Sequence, residues 1–510
     1  MSWLRVVRGA HGGGLAAENE RLLAENARLR SQLEAARRAG KRQAAPFSKG
    51  DPKKDPARPG RRSGEQYGTR AHRGVPGHVD EEIRVPLPDA WPCCAGELEF
   101  EDEVDQYQEE IAWVRGHVRH FRIARGRCRR CGRRAQGRHR DQTSDAVGAA
   151  GSQLGPRAVA IAAQLNKELG VAMGKVCQIL ELFGITVTAG GLYQAIGRLA
   201  RAAEPTHAAL VLAVRQSAAV AADETGWQIN GHKAWLWVFV GDDGITVYLI
   251  AAGRGYEQAA SVLGEDFCGV LERDGWAPYR RFEHASHQSC LAHLLRRAGE
   301  LIADSLAGQA KIPHALQRLL LDALAVRDAH QDLLSGSDGE AIDGTCVEIG
   351  EDQPLLKAAG SPSRDDRDEM IQTRQDRQAQ LDSQTCRLQQ QLDALLARSP
   401  THPPNQKLLK HLANEREHLL TFLTAPAIAA TNWRAEQAIR PAVVNRKNWG
   451  GNRTDHGAQV QQTLMSVIRT ARQQHTCPIA LLTDLLRQPD PAPSSRLHLA
   501  APATAEARGP

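Results

Sequence analysis

The fold is decided by three consecutive stretches: SAAVAADETGW (residues 217–227), HKAWLWVFVGDDGITVYLIAAGRG (232–255) and GVLERDGW (269–276). The first reads as a short buried strand that ends on acid at Asp223. The second gives two β-rich runs around the turn Gly241-Asp242-Asp243-Gly244, a strong hairpin signal. After the helix-like EQAASVLGEDF (257–267), the third is again a strand ending on acid, at Asp274. QSCLAHLLRRAGELIADSL (288–306) then carries apolar residues at helical spacing.

Three strands, a helix, a strand and a helix are the opening order of an RNase H-like fold, expected here over 218–302. From about 303 to 425 the chain is mostly helical, with an acidic, glycine-rich interruption around 335–366, and is read as a helical insertion. The core domain resumes over 426–487, with a helix starting at Thr431 or Asn432, a stop at Pro441 and a second helix from about Asp455. The last residues, 488–510, are too rich in Pro, Ala and Ser to pack and are expected to form a disordered tail.

Working back toward the N-terminus, residues 150–217 pair MGKVCQILELFGI with AGGLYQAIGRLARA across a turn at Gly184. This is the pattern of a helix-turn-helix-like DNA-binding region, and equally of two packed helices. Residues 81–145 alternate basic and apolar residues around two cysteine sites, which suits a small β-rich, metal-stapled, zinc-finger-like module lying on DNA. Residues 41–80 are a basic Pro/Gly/Lys/Arg linker without core-forming residues. Over 15–40, Leu15, Leu22 and Leu29 recur every seven residues with Asn19, Asn26 and Leu33 at the alternate seam, the pattern of a short parallel leucine-zipper coiled coil. The whole is therefore a multidomain α+β chain, and the zipper implies a homodimer or higher oligomer.

At 510 residues with net charge +6, the chain concentrates its basic residues in the N-terminal quarter and again near the end, so an anionic partner is expected. Ten cysteines, two of them in a Cys-x-x-Cys, fit metal ligands and core thiols rather than a secreted disulfide scaffold. No apolar run of about 18 residues and no signal-peptide core appears, so a cytoplasmic, nucleoid-associated protein is expected.

Transfer at a DNA phosphodiester uses two divalent ions, and hard ions take carboxylate oxygens. Asp223 and Asp274 lie at strand ends inside apolar runs, where an unneutralised carboxylate is costly. Glu436 lies on a later helix able to pack beside them. Trp433, Arg434 and Arg440 flank it, and Arg446, Lys447 and Arg453 surround the Gly450-Gly451 turn; both groups are candidates to hold the DNA backbone or flipped end nucleotides.

These blocks resemble the insertion sequence 66 family of DDE transposases. AADETGWQINGHKAWLWVFV, ERDGWAPYRRF with QSCLAHLLRRAGEL, and TNWRAEQAIRPAVVNRKNWGGNRTDHGAQVQQTLMSVIRTARQQ carry the likeness. The resemblance implies Asp223, Asp274 and Glu436 as catalytic ligands of magnesium or manganese, and DNA cleavage and strand transfer at the inverted-repeat ends of a mobile element. Accessory proteins of the same element are possible partners. Cys290 and His293 in CLAHL match a Cys-x-x-His pair found in several DDE families and stand as accessory residues, able to orient a carboxylate or phosphate, or simply to pack. Related sequences usually carry two cysteine knuckles for zinc. Here Trp91 stands where the first knuckle cysteine is expected, leaving Cys94, Cys128 and Cys131 as ligands, with Cys93, His117 or His120 as a possible fourth. Two other classes share parts of the pattern: a DNA-binding regulator without catalysis, which leaves the acid-bearing blocks unexplained, and an RNase H-like nuclease that cuts without joining.

Overall fold

The computed structural model describes residues 75–87, 96, 99–109, 111, 114–305, 308–334, 364–424, 428–488 and 492–499, together with Glu25. The zipper, most of the basic linker, Trp91, Cys93 and Cys94 lie outside the described residues. The chain divides into two compact units, residues 1–114 and 115–510. Among the described residues from 75 to 124 there is no strand or helix, and the strands described within 81–145 are those of one two-stranded hairpin, β1 (Arg125–Arg127) and β2 (Arg134–Gln136).

Three helices follow: α1 (Pro156–Lys167), α2 (Met173–Glu181) and α3 (Ala189–Gln216). The α2–α3 connection turns at Gly184, whose φ of +70° is open to glycine at little cost. Thr188 caps α3 by accepting from the Gly191 N–H. The second helix is far longer than a recognition helix alone requires. Over its 28 residues it carries Leu192, Ile196, Leu199, Leu210 and Val214 into the core beneath the sheet.

That sheet comprises β3 (Ala219–Ile229), β4 (His232–Val240), β5 (Thr246–Ala251), β6 (Val270–Arg273) and β7 (Ser286–Ser289), in the order β5-β4-β3-β6-β7. The first three form an antiparallel meander, while β6 runs parallel to β3 and β7 parallel to β6. Helix α4 (Tyr256–Leu263) leads into β6. The turn at 241–244 joins β4 to β5 as its spacing predicts. The tighter turn is Asn230-Gly231 between β3 and β4, where φ is +50° and +75°, the left-handed pair required by a two-residue link that keeps the strand twist. One expectation needs correction: β3 does not end at Asp223 but runs six residues further, because Thr225 to Ile229 keep pairing with β4 after the parallel partner β6 has stopped.

Beyond β7 come α5 (Leu291–Ala303), α6 (Lys311–Ala329), α7 (Gln331–Leu334), α8 (Arg364–Leu396) and α9 (Pro403–Glu415). They share a second core. Leu381, Leu388 and Leu395 of α8 recur every seven residues, with Leu392 between them, and pack with Leu316, Leu320 and Leu408. Burying each such leucine is worth about 1.5–3 kcal/mol. The chain then returns to the sheet with α10 (Trp433–Trp449), α11 (Asp455–Gln473) and α12 (Pro478–Arg487). Among the described residues, no helix is long and apolar enough to cross a membrane.

The even-numbered β3 residues Val220 and Ala222 join the core built with α3, whereas Ala221 and Trp227 join Ala435, Ala438, Ile439 and Ala442 of α10 on the opposite face. Helix α11 guards the sheet edge. Its Thr470, Ser466 and Gln462, spaced four apart on one face, accept from the N–H groups of Thr246, Tyr248 and Ile250 on β5, which would otherwise be an unpaired edge.

Two further expectations are corrected. Helix α10 does not stop at Pro441: the proline sits inside it, and the carbonyl it frees belongs to the turn of Gln437, an exposed residue within reach of water. The terminal segment is not wholly disordered, since over 492–499 Leu497 enters the main core, Ser494 bonds to Thr206 and Arg496 pairs with Asp484.

Candidate active site

Parallel pairing of β3 with β6 ends at Ala221 opposite Glu272. Continuing that register by two residues sets Asp223 level with Asp274, the first residue after β6. Alternation along β3 turns Asp223 to the α10 face, where Glu436 occupies the first turn of α10. Adjacent Glu224 points the other way, held by Arg254 at 2.8 Å and by the Tyr279 hydroxyl at 2.7 Å. Of the two neighbouring acids, then, Glu224 has its own cation and Asp223 is the one aimed at the cluster.

Burial pushes the Asp223 carboxyl up to about 7. The charges of Glu224 and Asp274 add to the rise, and the N–H of Glu224 and the charge of His293 oppose it. His293 Nε2 lies 3.8 Å from Glu436 Oε1. The adjacent Cys290 side chain, ahead of the charges of Glu436 and Asp274, lifts His293 to about 9 against the effect of burial. Asp274 accepts from the Trp276 N–H at 2.9 Å, which fixes the turn that follows β6. The three acids and His293 thus form one electrostatic group, drawn from segments spread between residues 223 and 436. Carboxylates are the donor type a divalent cation takes, and Asp223 is driven toward the protonated form first by burial and then by the neighbouring negative charge; among the described residues, however, the side chains close enough to share one ion are Cys290, His293 and Glu436 rather than the three acids.

Sequence reasoning missed the residue that assembles this group. Asn432, fully buried, donates from its side chain to the Ala222 carbonyl beside Asp223 at 2.7 Å and from its backbone N–H to Cys290 Sγ at 3.2 Å. Its carbonyl accepts from the Glu436 N–H at 3.1 Å. One residue therefore ties β3, the start of α5 and the start of α10. Its place at the start of α10 was the available signal. Also unread was Glu415 at the end of α9, completely buried, which accepts from Arg273, from Arg280 at 2.7 Å and from Ser289 at 2.5 Å. Arg273 in turn bonds the Asp274 carbonyl at 3.2 Å. No periodicity announces such a pairing across 142 residues.

The residues expected to contact DNA separate into two groups. Trp433 is 56 % exposed, and Arg440, Lys447 and Arg453 are exposed as well. Arg434 instead pairs with buried Glu272 at 3.2 Å, and Arg446 bonds Thr225 and the Gly226 carbonyl, so both fasten α10 to the sheet. The Gly450-Gly451 turn is tethered too: Asn452 N donates to the Gln228 carbonyl, and the Asn452 side chain accepts from Trp227. At Gly451, φ is +120° and a Cβ would run into the Gln228 carbonyl, so only glycine fits there.

Cys128 and Cys131 are exposed in the β1–β2 turn. The N–H groups of Cys131 and Arg130 draw the Cys128 thiol below its ordinary range, as in a metal-binding knuckle. Among the described residues, the group of three side chains able to share one ion is Cys290, His293 and Glu436, not the hairpin pair.

A mixed five-stranded sheet covered by helices defines an α/β protein, compatible with the fold of a DDE transposase. The family described as Transposase IS66 family matches residues 151–460, most of the chain, and the chain belongs to that family. It is thus a transposase-type enzyme, of a class that generally uses divalent metals and acts on DNA. No curated protein matches it.

Proposed function

We propose that the chain cleaves and joins DNA at the inverted-repeat ends of a mobile element, through an RNase H-like domain in which Asp223, Asp274 and Glu436 hold magnesium or manganese. What supports this is the electrostatic chain that links Asp223 on β3 with Asp274 after β6 and with His293, and His293 with Glu436 on α10, while neighbouring Glu224 and Glu272 are neutralised by arginines of their own. When bound, the divalent ions activate the attacking oxygen and stabilise the leaving one. Asp223 and Asp274, on the rigid sheet, fix the ligand oxygens. Glu436 closes the group from α10, whose first turn Asn432 sets.

Exposed Trp433, Arg440, Lys447 and Arg453 are the residues we assign to DNA, the cations gripping phosphates and the ring stacking on an unpaired end base. Helices α1–α3 serve as a DNA-binding region, residues 15–40 as a dimerising zipper, and Cys94, Cys128 and Cys131, with Cys93 at hand, as a zinc knuckle. The enzyme would act in the cytoplasm on nucleoid DNA.

The test uses purified full-length protein, labelled element ends and a target plasmid, with Asp223→Asn, Asp274→Asn and Glu436→Gln. Each variant is expected to lose metal-dependent cleavage and joining by more than about a hundredfold while still binding the ends. Joining retained in any one variant removes that residue from the site, and nicking without joined products makes the enzyme a nuclease.

A further inference from the structure

We propose that Cys290, His293 and Glu436 form a second metal site, selective for a thiophilic divalent cation such as zinc, and that its occupation withdraws Glu436 from Asp223 and Asp274 and so arrests the enzyme. The arrest rests on the function proposed above; the binding does not.

The ligand atoms of the three residues all lie within 4.8 Å of one another. Ligands around a tetrahedral zinc are separated by roughly 3.3–3.8 Å, so an inward movement of about 1 Å closes the set. Cys290 is the fixed member: it is 3 % exposed at the start of α5, and its sulfur accepts the Asn432 N–H. His293, one helical turn on, carries a buried Nδ1 with no hydrogen-bond partner. The side chains of His293 and Glu436 are 35 % and 30 % exposed, which gives an ion a way in and Glu436 room to move.

Donor chemistry separates this site from the carboxylate cluster. A thiolate and an imidazole bind zinc strongly and magnesium poorly, whereas three carboxylates suit magnesium. Glu436 alone belongs to both sets, so the two occupations compete for it. Three protein ligands also leave a fourth tetrahedral position open to water.

Cobalt(II) is the probe, titrated into the full-length chain carrying Cys128→Ser and Cys131→Ser so that the hairpin thiols contribute no signal. A near-ultraviolet thiolate-to-cobalt absorption saturating at one equivalent is expected, absent when Cys290→Ser is added and weakened about tenfold or more by His293→Gln. The two variants guard against each other's misfolding, and their unfolding transitions are recorded alongside. Absorption that persists unchanged in folded Cys290→Ser overturns the site. In the second arm, zinc is titrated into magnesium-supported cleavage by the otherwise unmodified chain. Half-inhibition is expected to need about tenfold more zinc in His293→Gln, each protein being compared with its own zinc-free rate. Equal sensitivity overturns the arrest. The cobalt arm reads without any cleavage, so failure of the proposed reaction and failure of this site remain distinct outcomes.

Discussion

Asp223 is held near a pKa of about 7 by burial and by the acids around it, so the metal-free fold binds its proton far more tightly than the unfolded chain does. The sign follows directly. A folded pKa above the unfolded value stabilises fully below the unfolded pKa, near 4, and that contribution is lost as pH rises through about 7. Asp223→Asn is therefore expected to stabilise the metal-free protein at pH 8, by about 1–3 kcal/mol, and by clearly less at pH 5, where the folded Asp223 is still neutral and only the unfolded carboxyl has ionised. Urea midpoints at the two pH values check this, and a variant no more stable at pH 8 than at pH 5, relative to the unaltered chain, refutes the strain assigned to Asp223. Magnesium should raise the midpoint of the unaltered chain and not that of the variant. Asp223 and Asp274 were legible because acids inside apolar runs are conspicuous. That Asp223 and Glu224 point to opposite faces follows only from the pleat, and Asn432 was invisible as a hub because Ala222 and Cys290 reach it only through folding.

The helical insertion meets the catalytic sheet through Glu415, whose carboxylate receives Arg273, Arg280 and Ser289 in the interior. Opposed by burial, the adjacent arginine charges and the donated bonds hold Glu415 below the ordinary carboxylate range. Its contribution is thus present above the unfolded pKa and fades as pH falls through the lower folded one. Glu415→Gln leaves the Arg273 guanidinium buried without a counter-charge. We expect a loss of about 3–5 kcal/mol at neutral pH, read from denaturant unfolding, against a far smaller loss for an exposed pair such as Arg416 with Asp393. Equal small losses at both places would mean that water relieves Arg273. Among the elements, alternation and apolar runs revealed β3 to β6, and the mostly helical character of 303–425 anticipated α8. Strand β7 went unread because SHQS has neither aliphatic residues nor alternation and is a strand only because β6 offers an edge. Pro441 misled for the opposite reason: a local breaking rule yielded to the packing of Ala435, Ala438, Ile439 and Ala442 on the sheet.

Residues 115–510 form a compact unit with hydrophobic cores of their own. Joining two element ends, by contrast, requires two sets of DNA contacts held together, and the Leu15, Leu22 and Leu29 seam is the feature of the sequence suited to supply that link. Its asparagines at two seam positions trade stability for register, and about three heptads make a weak zipper, so association is expected to depend on protein concentration. Deleting residues 1–40 should lower the mass measured by light scattering from dimer to monomer while leaving the thermal transition of the remaining chain within about 2 °C, since no core residue of the 115–510 unit is removed. Cleavage of a single labelled end should persist in the shortened protein, and products joining two ends should fall by at least about tenfold, because the second end must then be found from solution rather than at the high effective concentration a dimer provides. An unchanged mass after deletion would locate self-association elsewhere in the chain. A monomer that still joins paired ends at the full rate would show that DNA, not the zipper, brings the two active sites together.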